Sequence, residues 1–300
     1  MNTTITVCLC TYKREHLKLT LASLAAQQLP EGVSFNVSIV DNDKDGSGKV
    51  WVDQCRAETN LQLHYQIQSE KNISVARNAT VAAADGDWLA FLDDDEIAEP
   101  DWLAQLLDCA QQYQADVVQG ALKVNYPDHT PDWILAGDYF GKHLPPTGTQ
   151  RQVGSTCNAL VKRSALPHPT EPFDKQFGIT GGGDTHFFSR IHQAGGLMVS
   201  CCEAVVSETV EDNRLNESYL RRRALRVGET YSVIFFQEIS SLRKLLVISK
   251  ASALILVGGL VSLILSPTGK QYSLFYKLKM LQNWGKLRYF MSLNPVEIYK

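Results

Sequence analysis

Four acids in succession, Asp93-Asp94-Asp95-Glu96, stand directly after the apolar run Trp88–Leu92. Adjacent carboxylates repel one another unless a cation neutralises them. Asp93 and Asp95, spaced one apart, suit a hard divalent ion that also holds phosphate oxygens. A solvated acidic turn is the competing reading, and attachment to an apolar strand favours the metal and phosphate.

A second constellation is Gly181-Gly182-Gly183-Asp184, which precedes the helical stretch Thr185–Ala194. Glycines let the backbone approach a ligand closely and leave Asp184 at a helix N-terminus. Aspartate is also favoured there as a simple cap, but a cap does not require three glycines before it. His186, beside Phe187 and Phe188, reads as structural rather than as a metal ligand. Asp41-x-Asp43-x-Asp45-Gly46 imitates the start of an EF-hand loop, yet Val52 stands where its bidentate Glu belongs. Gly46-x-Gly48 lacks the third glycine of a dinucleotide fingerprint, since Trp51 holds that place, and no P-loop lysine motif occurs.

The elements that must position these residues alternate along the first half. Ile5–Cys10 is a compact apolar run, followed by Leu17, Leu21, Leu24 and Ala25 at helical spacing. Phe35–Val40 is a second strand, closed by the polar turn Asp41–Gly48. Leu61, Leu63, Tyr65 and Ile67 alternate with polar residues, as a half-buried strand does. Val75–Ala84 reads as a helix, Pro100 opens another reaching about Gln114, and Asp116–Val124 is a further strand. This order predicts an α/β fold, a mostly parallel sheet flanked by helices, with ligands beyond the carboxyl ends of its strands. Tyr126–Gly148, with four prolines and no clear period, reads as a functional loop such as a lid or acceptor-side loop.

The 300 residues carry 29 Lys and Arg against 32 Asp and Glu, a net charge of −3. That balance speaks against a broad basic surface for duplex DNA, and no nucleic acid partner is expected. The seven cysteines form no C-x-x-C pair and no zinc-ribbon spacing with histidine. Reduced, buried thiols are the expectation, which points to the cytosol or the cytosolic side of a membrane. The apolar run Ile5–Cys10 is too short for a signal peptide.

Near the C-terminus, Leu245–Ser266 is interrupted only by the charge of Lys250, and by Gly258-Gly259 as a break near its middle. Both flanks are basic: Arg221, Arg222, Arg223, Arg226, Arg243 and Lys244 before; Lys270, Lys277, Lys279, Lys286 and Arg288 after. A single span would export one basic flank against the positive-inside tendency. A re-entrant or interfacial hairpin keeps both on the cytoplasmic face. The expectation is a catalytic domain over 1–230 and a helical, membrane-associating segment over 231–300, peripheral or monotopic on the cytoplasmic face of the cell membrane.

Thr11-Tyr12-Lys13-Arg14, Ile39-Val40-Asp41-Asn42, Asn72 with Ala76-Arg77-Asn78, Phe91-Leu92-Asp93-Asp94-Asp95, and Gly182-Gly183-Asp184 with Arg190 occur in one order. In that order and spacing the set resembles family 2 glycosyltransferases, of the bacterial polysaccharide-assembly branch, over about residues 4–230. The resemblance implies a GT-A nucleotide-diphospho-sugar transferase fold. It implies that Thr11, Arg14, Asp41, Asn72, Arg77, Asp93 and Asp94 face a nucleotide-sugar, with Thr11 at base and ribose and Asp41 at the uracil. Arg77 would face the base or diphosphate. Asp93 and Asp95 would hold Mg2+ or Mn2+, and Asp184 would be the general base; apart from the resemblance, Glu208 is the next candidate should Asp184 not serve. Lys13 stands where the family usually has Asn, and Gly183 replaces the Glu before the base, an acceptor contact.

The implied chemistry is a single inverting displacement from a nucleotide-diphospho-sugar, a UDP-sugar foremost, to a glycan or lipid-linked saccharide acceptor. A sugar nucleotidyltransferase would also use strand-end acids and metal, but its Gly/Arg/Lys-rich phosphate loop is reduced here to Lys13 and Arg14. A non-catalytic glycan- or nucleotide-sugar-binding membrane scaffold is the third reading, against which the intact acids at 93, 95 and 184 argue.

Overall fold

Ile5, Val7 and Leu9 pack into one hydrophobic cluster while Cys8 packs into another, because alternate residues of a strand face opposite sides of its sheet. The computed structural model describes residues 2–141, 143–237 and 239–293. The chain forms two compact units. The first takes the chain up to Asn125, Gly141–Gly178 and Gly183–Thr209; the second takes Tyr126–Phe140, Ile179–Gly182 and the chain from Val210 onward.

Unit one is built on eight strands among the described residues: β1 Thr3–Thr11, β2 Val33–Asp41, β3 Leu63–Ile67, β4 Trp88–Asp93, β5 Glu96–Ala98, β6 Val117–Asn125, β7 Ala159–Lys162 and β8 Met198–Thr209. Their order is β3-β2-β1-β4-β7-β6-β8-β5. The first four run parallel, as the alternating pattern predicts, and β6 runs parallel to β8. The four-residue β7 is antiparallel to both β4 and β6, and β5 is antiparallel to β8. The sheet is therefore mixed beyond β4.

Helices α1 Leu17–Ala25, α2 Lys49–Glu58, α3 Ile73–Ala83 and α4 Trp102–Gln112 follow the predicted spans within a few residues. Leu17, Leu21 and Leu24 join Trp102, Leu103 and Leu106 on one sheet face. Val81, Phe173, Phe187 and Phe188 cover the other. Asn158, fully buried at φ 96°, ties the layers where β8 bulges opposite Gly120/Ala121. Its Nδ2 donates to the Ala121 and Ala204 carbonyls, each at 2.8 Å, and its Oδ1 accepts from Trp102 Nε1 at 2.8 Å. A buried amide so saturated costs little to bury. A Cβ on Gly120 would lie 2.3 Å from Asn158 Oδ1, so that position excludes any side chain.

Within the expected loop Tyr126–Gly148 lies a short helix, α5 Asp132–Gly137, started by Pro131. Six residues are too few for a period to register. The four-residue α6 Phe177–Thr180 precedes α7 Gly183–Gln193.

Unit two is otherwise helical: α8 Glu217–Phe235, α9 Ser241–Ile264 and α10 Lys270–Phe290. Gly258-Gly259 does not break the apolar run, contrary to expectation. Helix α9 is continuous through both, and Gly258 is buried against α10, where an added Cβ would sit 3.3 Å from Met280 Cβ. The glycine serves close packing, not a turn. The hairpin turns instead at Ser266–Thr268, and near it Ser262 and Ser273 each donate to the other's carbonyl, at 2.9 and 2.8 Å. Away from that seam α9 is exposed, with Leu256 75% and Leu263 74% accessible. It is the one described helix long and apolar enough to cross a membrane. Residues 294–300 of the expected membrane-associating segment lie outside the described residues.

Candidate active site

The register of unit one sets the candidate residues side by side. Thr11 at the end of β1 is paired with Asp41 at the end of β2, and Cys10 is paired with Asp93 at the end of β4. All stand at carboxyl ends of parallel strands, where open α/β sheets bind ligands.

Asp41 is fully buried and turned into the protein. Its Oδ1 accepts from Asp43 N at 2.9 Å, and its Oδ2 accepts from Gly48 N at 2.7 Å and Tyr65 Oη at 2.9 Å. It shapes the loop between β2 and α2. Asn72 caps α3, accepting from Ser74 N and Val75 N at 3.0 and 3.2 Å, while its own N–H donates to Asn42 Oδ1 at 3.1 Å.

The acidic run divides its work. Asp94 points inward, accepting from Thr11 Oγ1 at 2.7 Å and lying 3.2 Å from Arg14 Nε. Burial pushes its carboxyl up to about 7, with Arg14 and the Thr11 hydroxyl opposing that rise. Glu96, almost wholly buried, accepts from Asp93 N at 2.9 Å and holds the turn. Asp95 meets Arg14 Nη1 at 2.9 Å. Asp93 is the most open of the three aspartates, with 42% of its side chain accessible against 12% and 14% for the other two, and Arg77 Nη2 is 3.6 Å from its Oδ1.

Asp184 lies in the first turn of α7. Its Oδ1 accepts from Arg77 Nη1 at 2.7 Å, and its Oδ2 accepts from Thr156 N at 3.3 Å and Ser155 Oγ at 3.5 Å. One guanidinium, carried by α3, thus reaches both the strand-end acid and the candidate base. At Gly183 an added Cβ would meet nothing closer than Ser74 Oγ at 3.4 Å, an ordinary contact. Glu208 lies in β8, paired with Glu96 of β5. His186 rests 4.9 Å from the Phe177 ring, and burial lowers its pKa, as a structural histidine requires.

Unit one therefore gathers Thr11, Arg14, Asp94 and Asp95 into one contact set and Arg77, Asp93 and Asp184 into another, while Asp41 and Asn72 support the loops behind. Sequence reasoning missed Ser155 and Thr156, which hold Asp184; they follow an aperiodic stretch and carry no spacing signal. Among the described residues no three His, Cys, Asp or Glu side chains cluster to hold a metal by themselves. The donor set, two hard carboxylates at Asp93 and Asp95, fits a divalent ion that completes its shell with phosphate oxygens.

A parallel strand set ending in a row of acids and extended by a mixed half agrees with the GT-A fold that the motif resemblance implies. The chain belongs to glycosyl transferase family 2, which it matches over residues 6–168. It is 36% identical over 249 residues to the succinoglycan biosynthesis protein ExoM of Rhizobium meliloti (strain 1021), covering 83% of this chain and 81% of that one. Among solved structures it resembles the mannosyltransferase PcManGT from Pyrobaculum calidifontis, in complex with GDP-Man and Mn2+. The TM-score is 0.66 at 16% identity, covering 98% of this chain and 89% of that one. It also resembles S. aureus TarS 1-349 in complex with UDP-GlcNAc, with TM-score 0.53, 14% identity, and coverage of 97% and 92%. At these identities the structural likeness establishes the fold.

Proposed function

We propose that this protein is an inverting glycosyltransferase that moves a sugar from a nucleotide-diphospho-sugar, a UDP-sugar foremost, to a glycan or lipid-linked acceptor in surface-polysaccharide assembly. The observation that carries it is Arg77, whose guanidinium spans Asp93 and Asp184 and so puts a strand-end acid and a base within one side chain of each other. The likeness to ExoM supports the polysaccharide context, and that to TarS with UDP-GlcNAc supports the UDP donor.

In this reading Asp184 accepts the acceptor hydroxyl's proton as that oxygen bonds to the anomeric carbon, and the carbon–oxygen bond to the diphosphate breaks with its electron pair. Arg77, Ser155 and Thr156 keep the carboxylate of Asp184 in one orientation. Thr11 and Arg14 fix Asp94 and Asp95. A divalent ion on Asp93 and Asp95, Mg2+ or Mn2+, supplies neutralisation of the leaving diphosphate when bound. One in-line step with one base inverts the anomeric centre. Catalysis is assigned to residues 1–230. Attachment to the cytoplasmic face of the membrane is assigned to 231–300, where α9 leaves Leu256, Val257, Leu260 and Leu263 exposed.

The deciding experiment measures nucleotide release from a panel of UDP- and GDP-sugars with a lipid-linked acceptor extract, and reads the product anomer by NMR. UDP release with an inverted product is expected. A retained anomer, or pyrophosphate release from a nucleoside triphosphate instead, would remove this reading.

A further inference from the structure

Helix α8 carries four arginines in six residues, Arg221, Arg222, Arg223 and Arg226. Arg221 pairs with Glu217, which also lies 3.4 Å from Lys270 Nζ and 3.7 Å from Lys277 Nζ. Arg222, Arg223 and Arg226 pair with no carboxylate among the described residues, whereas the remaining acid of the helix, Glu229, is taken by Arg288. Arg226 Nε is moreover buried and without a hydrogen-bond partner among the described residues. A buried, unpartnered guanidinium N–H is costly and marks a place where an absent acceptor belongs.

The three arginines are neighbours on the helix surface, Arg222 and Arg226 four apart and Arg223 and Arg226 three apart. Unit two brackets them on two sides. The Arg223 guanidinium lies 5.7 Å from the Phe140 ring centre, and Phe140 is stacked on Tyr219. Four residues beyond Arg226, Thr230 packs against the Gly181-Gly182 turn so tightly that a Cβ on Gly182 would lie 2.0 Å from Thr230 Cγ2. Along the chain, that turn is two residues short of Asp184.

We propose that Arg222, Arg223 and Arg226 form a binding site for the phosphate or diphosphate of a lipid-linked saccharide acceptor. The proposal rests on the glycosyl-transfer reading above and names its acceptor class. Arginine forks match phosphate oxygens two at a time. The same unit presents the apolar face of α9, so an amphiphile with an anionic head finds both of its halves served. Helix α9 has its own cations for membrane headgroups, Arg243, Lys244 and Lys250, which leaves the α8 cluster to a discrete ligand.

The test uses the full chain in detergent with geranyl diphosphate as probe, geraniol as the uncharged control and UDP for the donor site. Geranyl diphosphate binds and geraniol does not. Arg222→Gln with Arg226→Gln weakens the diphosphate at least about tenfold, leaves UDP within about twofold, and Arg222→Lys with Arg226→Lys restores part of the loss. Independently of any variant, geranyl diphosphate protects Arg222, Arg223 and Arg226 of the wild-type protein from phenylglyoxal, read by mass spectrometry. Absent protection overturns the proposal, even where the Gln pair fails to fold. Parallel loss of UDP affinity overturns it too, by giving the cluster to the donor. So does unchanged diphosphate binding with lost flotation on phosphatidylglycerol vesicles, by giving it to the membrane. Prenyl diphosphate binding without transfer from any sugar nucleotide would sink the glycosyl-transfer reading while sustaining the anion site.

Discussion

Arg77 and Asp184 meet through a 2.7 Å charge-assisted hydrogen bond that joins positions 107 residues apart. The same guanidinium reaches Asp93, so the two acids are coupled through one side chain. Replacing Asp184 by Asn keeps the size of the side chain and removes its capacity to take a proton. Transfer should fall at least about 100-fold, within the range of general-base contributions, while nucleotide-sugar binding holds. Single-turnover rates alongside calorimetric donor affinities check this. Wild-type transfer by the variant would give the base to another acid, Glu208 first.

Coupling through Arg77 predicts non-additivity. Arg77→Met should slow transfer strongly, and the Arg77→Met, Asp184→Asn double variant should be far less impaired than the product of the single effects. Contacting residues commonly show interaction energies of about 0.5–3 kcal/mol. A double-mutant cycle on transfer rates measures it, and simple additivity would mean that Arg77 does not act through Asp184.

Asp95→Asn removes a charged oxygen from the site assigned to the divalent ion, and its partner Arg14 stays anchored on Asp94. Turnover should drop by about two orders of magnitude or more with the thermal unfolding midpoint nearly unchanged. Full activity of wild type in excess EDTA would end the metal assignment.

Membrane attachment should reside in exposed side chains. Leu256→Glu, Leu260→Glu and Leu263→Glu together should move the protein from the membrane to the soluble fraction, since each is at least 60% accessible. High salt alone should release only part of the wild-type protein, because it screens charge and not apolar burial. Unchanged fractionation of the triple variant would refute the assignment.

The buried thiols supply a pH-based check. Burial pushes Cys8 and Cys201 up to about 12, and it also raises Cys10. At pH 8 only about one Cys8 thiol in ten thousand is then ionised, and reactivity should stay low until well above pH 9. Maleimide labelling mapped by mass spectrometry should find Cys8 and Cys201 unmodified in the folded protein and modified in denaturant. Labelling of Cys8 in the native state would contradict the packing.

The parallel half of the sheet was legible because its strands are apolar runs closed by polar turns, and their ends mark the site in sequence. Asp93, Asp95 and Asp184 announced themselves by adjacency to a strand end and to a glycine run. Other features depend on partners far away in the chain. Strand β7 has four residues, so its reversal leaves no trace, and Asn158 acquires its role only where β8 bulges. The resemblance puts Asp41 at the uracil, and only the fold shows that its carboxylate also accepts from Gly48 N and Tyr65 Oη. Gly258 looks like a helix breaker until Met280 arrives beside it.

Unit two is assembled from pieces made at very different times. Tyr139 Oη donates to the Gln271 carbonyl at 2.7 Å, and the Trp133 ring carries Lys270 Nζ at 4.0 Å, across 132 and 137 residues of chain. On a ribosome adding about 5–20 residues per second, Tyr139 waits roughly 7–26 s for its partner to be made. The apolar α9 is synthesised within that wait, before α10 exists to cover its seam. The Tyr126–Phe140 segment is therefore secured only after the whole of the apolar α9 has been made.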